Sequence, residues 1–362
     1  MMDHSDLALE AIKLLKKLIE TPSFSKEEVG TALVIADFLK SKGIETHRSG
    51  NNLWAFANPF NDKLDTIWLN SHHDTVKPNS GYTNDPFKAI EEDGKLFGLG
   101  SNDAGASLVS LISSFLHFAG KPLPFNLILI ASAEEEISGQ GGIASIISQL
   151  PPCELAIVGE PTLMNAAIAE KGLLVIDAKV KGKSGHAARE EGLNAIYLAM
   201  DDLDEVRNFQ FRKTSPSLGR TKVTATIIHS GTQHNVVPDL CEYTLDVRVT
   251  DAYTLKEAFE ELKSSLHAEL TPRSMRLQSS HLPGDHLMNR VIEDLDLETY
   301  GSPTLSDQAL IPYPSVKIGP GDSARSHTAN EFIYLNEIQK GISGYIQILE
   351  NYSKLLILST NT

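Results

Sequence analysis

The chain has 362 residues, 41% of them hydrophobic and 22% charged, and it carries a formal net charge of −15 at pH 7. This length exceeds the usual size of a single hydrophobic core and predicts two domains, while the apolar content excludes an intrinsically disordered protein. The acidic charge includes no basic stripe, which excludes nucleic acid and anionic membrane surfaces as partners.

The first half of the chain alternates helical and strand-like patterns. Apolar residues at helical spacing predict two opening helices, from Leu7 to Ile19 and from Val29 to Leu39, and a third helix from Leu108 to Phe118. Short apolar runs predict strands at Leu53–Ala57, Thr66–Asn70, Asn126–Ser132 and Glu154–Val158. This alternation predicts an α/β domain with a mixed, mostly parallel sheet flanked by helices.

From about Gly172 the pattern changes to that of a smaller α+β domain. Its predicted elements are strands at Leu173–Lys181, Thr221–Ile228 and Tyr243–Thr250, and helices at Asn194–Phe209 and Thr254–His267. After Pro272 the α/β pattern returns, with a strand at Ser315–Ile318 and a closing helix at Asn336–Leu355. We therefore predict one domain made of residues 1–171 and 278–362, interrupted by an inserted domain at 172–277.

Cysteine content and the N-terminus indicate the compartment. The two cysteines, Cys153 and Cys241, are too few for a disulfide framework or a thiolate zinc site, which favours a reducing environment. The N-terminus lacks the cationic and apolar regions of an export signal. The longest apolar run, around Leu127–Ala131, is far shorter than the roughly 20 residues that a bilayer span needs. We expect a cytoplasmic protein without a membrane segment.

Imidazole and carboxylate side chains follow four of the predicted strands. Because the carboxyl ends of parallel strands line one crevice, we expect these groups to converge, together with Asp103 at the start of a helix. Taken singly, each is equally well explained as a helix cap or a surface residue. Three adjacent acids after an apolar strand, however, repel one another unless a cation or proton offsets them. The groups are His72, Asp74, Glu134, Glu135, Glu136, Glu160 and His327.

The composition of this set suggests its ligand. Imidazoles and carboxylates without thiolates suit zinc, cobalt or manganese, and the groups are too many for one tetrahedral ion. Two metal ions that share one carboxylate would use them all. In the sequence His72-His73-Asp74, the acid could accept a hydrogen bond from the free ring nitrogen of His72 and so fix its tautomer.

Five ordered motifs resemble those of the dinuclear-metal aminoacylase and carboxypeptidase family, in its acetylornithine deacetylase and succinyl-diaminopimelate desuccinylase branch. The resemblance covers essentially the whole chain and implies a catalytic domain interrupted by a smaller, ferredoxin-like dimerisation or lid domain. The motifs are Ser71-His72-His73-Asp74-Thr75-Val76, Gly98-Leu99-Gly100-Ser101-Asn102-Asp103, Ser132-Ala133-Glu134-Glu135-Glu136, Val158-Gly159-Glu160-Pro161-Thr162 and Ser326-His327-Thr328.

The resemblance also implies the roles of these residues. Two zinc ions, or cobalt or manganese, would share Asp103, with His72 and Glu160 completing one site and Glu136 and His327 the other. Glu135 would take a proton from water acidified by the metals and pass it to the departing amine. Asp74 would hold His72, and a cis peptide bond would follow Asp103.

In the insert, the resemblance implies that His186 reaches the active site of a partner subunit and stabilises the developing oxyanion. A homodimer is therefore expected. Asn235 and Arg248 would bind substrate, since an arginine can grip a carboxylate with two hydrogen bonds. The alternatives are that His186 is a turn residue and that Arg248 is an ordinary surface residue of a strand.

Two departures from the family pattern stand out. Relatives commonly carry a lysine two positions after the shared aspartate, where this chain has Gly105. They usually read Asp-Glu-Glu where this chain has Glu134-Glu135-Glu136, which leaves open a shift of base and ligand by one residue.

The predicted activity is removal of an acetyl or succinyl group from an N-acylated amino acid, with N-acyl-ornithine or N-acyl-citrulline of arginine biosynthesis as the expected small-molecule substrate. The alternatives are succinyl-diaminopimelate desuccinylase, a metallo-dipeptidase or aminopeptidase, and a non-catalytic binding protein on the same fold. A nucleotide-binding oxidoreductase is disfavoured, because Gly98-Leu99-Gly100 does not continue as a dinucleotide fingerprint.

Overall fold

The structure is a computed structural model that describes residues 4–360. This part of the chain divides into two compact units. The first is made of three segments: one ends at Ile168, one runs from His281 to Tyr300, and one begins at Ser306. The second unit comprises Ala169–Ser280 and Gly301–Leu305.

The described residues form seven α-helices. They are α1 (His4–Ile19), α2 (Val29–Ser41), α3 (Ala106–Phe118), α4 (Ala195–Asn208), α5 (Leu255–Lys263), α6 (Leu287–Asp294) and α7 (Leu335–Thr360). None of the helices within residues 4–360 is both long enough and apolar enough to cross a membrane.

Twenty strands lie within the described residues. Eight come first: β1 (His47–Ser49), β2 (Asn52–Phe56), β3 (Thr66–His72), β4 (Ile90–Glu92), β5 (Lys95–Phe97), β6 (Asn126–Ser132), β7 (Leu155–Val158) and β8 (Ala166–Glu170). The next eight are β9 (Gly172–Lys181), β10 (Gly185–His186), β11 (Thr214–Ser215), β12 (Gly219–Arg220), β13 (Lys222–Ser230), β14 (Val236–Val237), β15 (Leu240–Val249) and β16 (Glu269–Pro272). The last four are β17 (Ser280–His281), β18 (Thr299–Ser302), β19 (Ser315–Lys317) and β20 (Phe332–Tyr334).

A nine-stranded sheet forms the centre of the first unit. Its strand order is β1-β2-β6-β3-β7-β19-β8-β17, and β18 pairs with β8. The strands β6, β3, β7 and β19 run parallel to one another, whereas β2 and β8 join them antiparallel. Every residue of β3 and β6 is buried, as expected for parallel strands that are covered on both faces. The predicted mixed, mostly parallel α/β sheet is confirmed.

The two faces of this sheet carry separate hydrophobic clusters. On one face α1, α3 and α7 pack against the sheet, with Leu15, Phe115 and Tyr345 fully buried among them. On the other face Trp54 and Trp68 pack with the short 3-10 turns between Ile143 and Leu150. The sheet is therefore covered on both faces.

The second unit has its own sheet and core. Its four strands are antiparallel in the order β13-β15-β9-β16, and the chain runs through β9, α4, β13, β15, α5 and β16. This succession of strands and helices is the ferredoxin-like arrangement predicted for the insert. Helix α5 begins with a capping box, in which Thr254 and Glu257 satisfy each other's main-chain N–H groups.

Several elements differ from the sequence-based prediction. The strand predicted at Tyr243–Thr250 begins earlier, at Leu240, and the helix predicted to reach His267 ends at Lys263. Asp103 does not start α3 but lies in the kinked turn Ser101–Gly105 that precedes it, with a non-helical backbone at φ of −115° and ψ of 101°. Strand β8 and helix α6 were not predicted, because short segments rich in alanine or charge show no clear period.

Candidate metal centre

The parallel strands bring the predicted site residues to one edge of the sheet. His72, the last residue of β3, lies opposite Ser132, the last residue of β6. Asn70 of β3 lies opposite Val158, the last residue of β7. The acids that follow β6 and β7 therefore emerge beside His72, as the rule for open parallel sheets predicts.

His72, Asp103 and Glu160 form one group of potential metal ligands. The Nε2 atom of His72 is 3.4 Å from Oδ1 of Asp103 and 3.7 Å from Oε1 of Glu160. One ligand atom from each of the three side chains lies within 4.8 Å of the other two. The His72 ring is 1% exposed, so the ligand atoms lie in an environment from which most water is excluded.

Asp103 also belongs to a second group, with Glu136 and His327. The Nε2 atom of His327 is 3.0 Å from Oε2 of Glu136 and 3.6 Å from Oδ2 of Asp103. The two oxygens of Asp103 thus face different groups. Each group offers one imidazole nitrogen and two carboxylates, a donor set that suits zinc, cobalt or manganese. The residues present fit two divalent cations that share one carboxylate.

The electrostatics of the centre also favour added positive charge. Burial, followed by the charge of Asp103, raises the pKa of Glu160 to about 8. Burial also raises the pKa of Glu135 well above its usual range, and the neighbouring acids add to this. The hydrogen bond to Glu136 and the charge of Asp103 raise the pKa of His327 to about 9. The centre therefore holds on to protons, which divalent cations would replace.

Asp74 supports both His72 and the acidic loop. The closest acceptor to Nδ1 of His72 is the main-chain oxygen of Asp74, at 3.0 Å, and the carboxylate lies at 3.4 Å. The same carboxylate accepts hydrogen bonds from the main-chain N–H groups of Glu135 and Glu136 and from the hydroxyl of Ser25. Despite its burial, the hydrogen bond and charge of His72 lower the pKa of Asp74. Asp74 is thus an ionised acceptor behind the ligands.

The structure distinguishes among the three adjacent acids. Glu134 has a left-handed backbone, with φ of 54°, and its carboxylate accepts a hydrogen bond from the N–H of Gly141. Glu136 faces His327, and Oε2 of Glu135 lies 3.9 Å from Nε2 of His72. The two acids that face the centre are therefore Glu135 and Glu136, in the register that the resemblance implied.

The turn that carries Asp103 is shaped for close packing. The peptide bond between Asp103 and Ala104 is cis, as the resemblance implied. At Gly105, a Cβ atom would lie 2.4 Å from the main-chain oxygen of Gly100 and 2.7 Å from Cδ1 of Leu15. The lysine that relatives commonly carry at this position has no room here unless these neighbours move.

Two buried acids near the centre were missed by sequence reasoning. Asp307 accepts hydrogen bonds from the side chains of Asn70 and Ser132, and burial raises its pKa to about 6. Glu331 accepts hydrogen bonds from the main chain around Asp103, and burial raises its pKa to about 8. The only available signal was weak: Glu331 directly precedes the apolar strand β20, four residues after His327.

The remaining predicted residues lie in the second unit. His186 is exposed on β10, which pairs with β14, and the N–H of Ala187 donates to the main-chain oxygen of Asn235. His186 and Asn235 are thus neighbours. Arg248 lies eight residues along β15 from Leu240, roughly 26 Å at strand spacing, and it bonds with two nitrogens to the carboxylate of Asp246. The structure does not bring Arg248 to the other two.

Comparison with known proteins gives a consistent picture. Residues 68–351 match the family model described as Peptidase family M20/M25/M40. Acetylornithine deacetylase from Proteus mirabilis is 30% identical, over 94% of this chain and 96% of its own. The enzyme of the same name from Shigella sonnei is 26% identical, over 94% and 97%.

Solved structures share the fold. Aminopeptidase PepT from Bacillus cereus has a TM-score of 0.77 at 20% identity, covering 97% of this chain and 99% of its own. The YXEP protein of Bacillus subtilis, described as a dinuclear metal binding peptidase, has a TM-score of 0.74 at 18% identity, covering 98% and 99%. At these identities the likeness concerns the fold alone.

Proposed function

The chain belongs to peptidase family M20/M25/M40, which confirms the predicted family and makes it a hydrolase of amide bonds; we propose that it removes an acetyl or succinyl group from an N-acylated amino acid. The observation that carries this proposal is the pair of ligand groups that share Asp103, with Glu135 beside them. Such a centre is suited to hydrolysis of an unactivated carbonyl compound.

We propose that two divalent cations, zinc, cobalt or manganese, occupy the centre. His72 and Glu160 would hold one and Glu136 and His327 the other, with Asp103 between them. When bound, such ions polarise a carbonyl group and lower the pKa of water toward about 7. Asp74 keeps the His72 ring in place through Nδ1 and fixes the main chain of Glu135 and Glu136.

Glu135 is the proposed general base. It belongs to neither ligand group, and its carboxylate nevertheless lies 3.9 Å from His72 Nε2, at the border of the candidate metal centre. The carboxylate takes a proton from the attacking water. It then donates that proton to the amine nitrogen as the carbon–nitrogen bond of the amide breaks. A buried carboxylate with a raised pKa is suited to both transfers.

The proposed substrate is N-acyl-ornithine or N-acyl-citrulline, in arginine biosynthesis. Support comes from the two relatives named acetylornithine deacetylase, which align along nearly their whole length. A cavity of about 190 Å³ beside His327, lined in part by Lys77, Tyr82 and Leu99, offers room for the acyl group. The Lys77 ammonium would favour an acyl group that carries a carboxylate.

We further propose a cytoplasmic homodimer that associates through residues 172–277. Strand β13 is an edge strand of the second unit, and its Ile227 and Ile228 are 46% and 51% exposed. An exposed edge strand invites pairing with another strand, and a second copy of the chain would cover it. In the dimer, His186 and Asn235 would serve the partner's centre, His186 at the developing oxyanion, and Arg248 would bind the substrate carboxylate.

The test is an activity panel on protein that has been stripped of metal and reloaded with zinc, cobalt or manganese. The substrates are the N-acetyl and N-succinyl derivatives of ornithine and citrulline, N-succinyl-diaminopimelate and a dipeptide, and the measurement is amine release. Metal-dependent release from an acyl-ornithine or acyl-citrulline is expected. Activity on the dipeptide alone would make the protein a peptidase, and no turnover despite two bound cations would indicate a binding protein.

A further inference from the structure

Two sets of hydrogen bonds link the segment that carries His327 to the turn that carries Asp103. The first set lies before His327. The side-chain amide nitrogen of Asn102 donates to the main-chain oxygen of Asp322, at 3.0 Å, and the side-chain oxygen of Asn102 accepts from the N–H of Asp322, at 3.1 Å. The second lies after His327, at Glu331. His327, a candidate ligand of the second group, thus lies between two residues, Asp322 and Glu331, that are hydrogen-bonded to the turn.

The second set joins Glu331 to the main chain around Asp103. Its carboxylate accepts hydrogen bonds from the N–H groups of Gly100, Asn102 and Asp103, at 3.2, 2.7 and 2.9 Å. Its own main-chain oxygen accepts from the N–H of Gly98, at 3.0 Å. The residue is 2% exposed, so water cannot replace these bonds. One buried side chain therefore accepts from three main-chain N–H groups of this turn.

The turn needs such an anchor. Gly98 and Gly100 have positive φ angles of 149° and 74°, and glycine restrains the chain less than any other residue. Asp103 lies three residues after Gly100. Without Glu331, the turn would keep the bonds of Asn102 to Asp322 and its own main-chain bonds, while the three N–H groups that now reach Glu331 would lose their acceptor beside the Asp103 carboxylate, which lies 3.6 Å from the His327 ring.

We propose that Glu331 is a positioning residue that holds Asp103 and His327 at the separation required by the second cation, the one assigned to Asp103, Glu136 and His327. The inference rests on the proposed function, because it presumes that cations occupy the centre. Glu331 itself belongs to neither ligand group. Residues that orient metal ligands from behind typically change metal affinity by about 10- to 100-fold when they are replaced.

The experiment compares Glu331→Gln with a matched control, Asp202→Asn. Asp202 is also a buried acid that accepts two main-chain hydrogen bonds, from His267 and Ala268, but it lies in the second unit. Stepwise Zn²⁺ affinities of both variants and the unaltered protein are measured by competition with a chelator, after circular dichroism has shown that each is folded. Glu331→Gln is expected to weaken one of two Zn²⁺ equivalents by about 10- to 100-fold, and Asp202→Asn to weaken neither.

Three further measurements make the result specific. In a His327→Ala background, Glu331→Gln should cause little additional loss, because the affected site is already broken. Excess Zn²⁺ should restore the amidase activity of Glu331→Gln, which a general folding defect would not allow. Glu331→Asp keeps the carboxyl group with a shorter reach, so its Zn²⁺ affinity should fall between those of the Gln variant and the unaltered protein, and it replaces the Gln variant if that protein does not fold.

Unchanged affinity for both equivalents in Glu331→Gln would overturn the inference and leave the proposed function intact. An equal loss at both equivalents, matched by Asp202→Asn, would also overturn it, because the effect would then reflect general stability. If the unaltered protein binds no divalent cation, the proposed function fails, and the inference fails with it.

Discussion

Buried acids occur in both units, and their surroundings differ. In the second unit, Asp202 accepts hydrogen bonds from two main-chain N–H groups and from the hydroxyl of Tyr243. In the first unit, carboxylate oxygens of Asp103, Glu135 and Glu160 surround a single imidazole nitrogen, Nε2 of His72, at 3.4, 3.9 and 3.7 Å. The carboxylate of Asp202 is thus satisfied by hydrogen bonds from the fold itself. The carboxylates around His72 outnumber the nearby hydrogen-bond donors, and bound cations would satisfy them.

The largest effect is expected from Glu135→Gln, which separates chemistry from metal binding. The amide cannot accept a proton from water, so kcat should fall by about 10²- to 10⁴-fold or more. Zinc content should stay at that of the unaltered protein, because Glu135 belongs to neither ligand group. Steady-state kinetics and metal analysis of the same sample test this. A proportional loss of zinc would show that Glu135 is a ligand.

The next prediction contrasts Glu160→Gln with Asp202→Asn in metal-free protein at pH 7. The pKa of Glu160 is raised on folding, to about 8, so the folded state loses stability as the pH rises from the unfolded value to about 8. Removing this carboxylate should therefore maintain or increase the free energy of unfolding. Asp202→Asn leaves main-chain donors without a full acceptor and should cost about 1–3 kcal/mol. Denaturant unfolding measures both.

If Glu160→Gln proves as destabilising as Asp202→Asn without metal, the contrast between the two kinds of buried acid does not hold. With zinc bound, Glu160→Gln should become the more destabilising of the two substitutions, since Glu160 is then a ligand. The unaltered protein should gain stability from zinc, whereas Glu160→Gln should gain less.

The dependence of cation affinity on pH also tests whether the acids of the metal centre differ from Asp202. The pKa values of His327 and Glu160, about 9 and about 8, mean that the metal-free centre holds protons at neutral pH. Cations must displace them, so apparent affinity should rise with pH, by about tenfold per unit for each proton released. Calorimetry in buffers of different ionisation enthalpy counts these protons. An affinity independent of pH between about 6 and 8 would contradict the assignment.

The smallest effect concerns Lys77, whose ammonium group is exposed beside the cavity next to His327. An exposed ion pair contributes at most about 1 kcal/mol, so Lys77→Met should lower kcat/KM for an N-succinyl substrate by about two- to fivefold. The N-acetyl substrate provides the internal control, because it has no acyl carboxylate. An equal change for both substrates would remove Lys77 from acyl recognition.

The sheet and the candidate metal ligands at its edge could be predicted because short stretches of sequence indicate each of them. The segment Asn126–Ser132 is a continuous apolar run followed at once by charge, and its predicted bounds match the strand. Since β3, β6 and β7 are parallel, the polar residues after them had to meet at one edge. The predicted ligand set is therefore also the set that converges.

Glu331 and Asp307 could not be predicted in this way. Each is a single acid in an irregular segment, and its role depends on partners that are distant in sequence. The N–H of Asn102, for example, donates to Glu331 across 229 residues. No periodicity records such a contact, so only a three-dimensional structure reveals it. The short return of Gly301–Leu305 to the second unit is hidden from the sequence for the same reason.

The chain enters and leaves the insert at neighbouring points, Leu173 and Leu277. The N–H of Leu173 donates to the main-chain oxygen of Leu277, at 3.0 Å, and a Cβ atom at Gly172 would lie 2.6 Å from that same oxygen. A chain cut at these two points would need only a tight turn to rejoin its ends. Recombination at these two points could consequently exchange the insert without lengthening the chain that carries the metal centre, although the second unit would lose its short segment Gly301–Leu305.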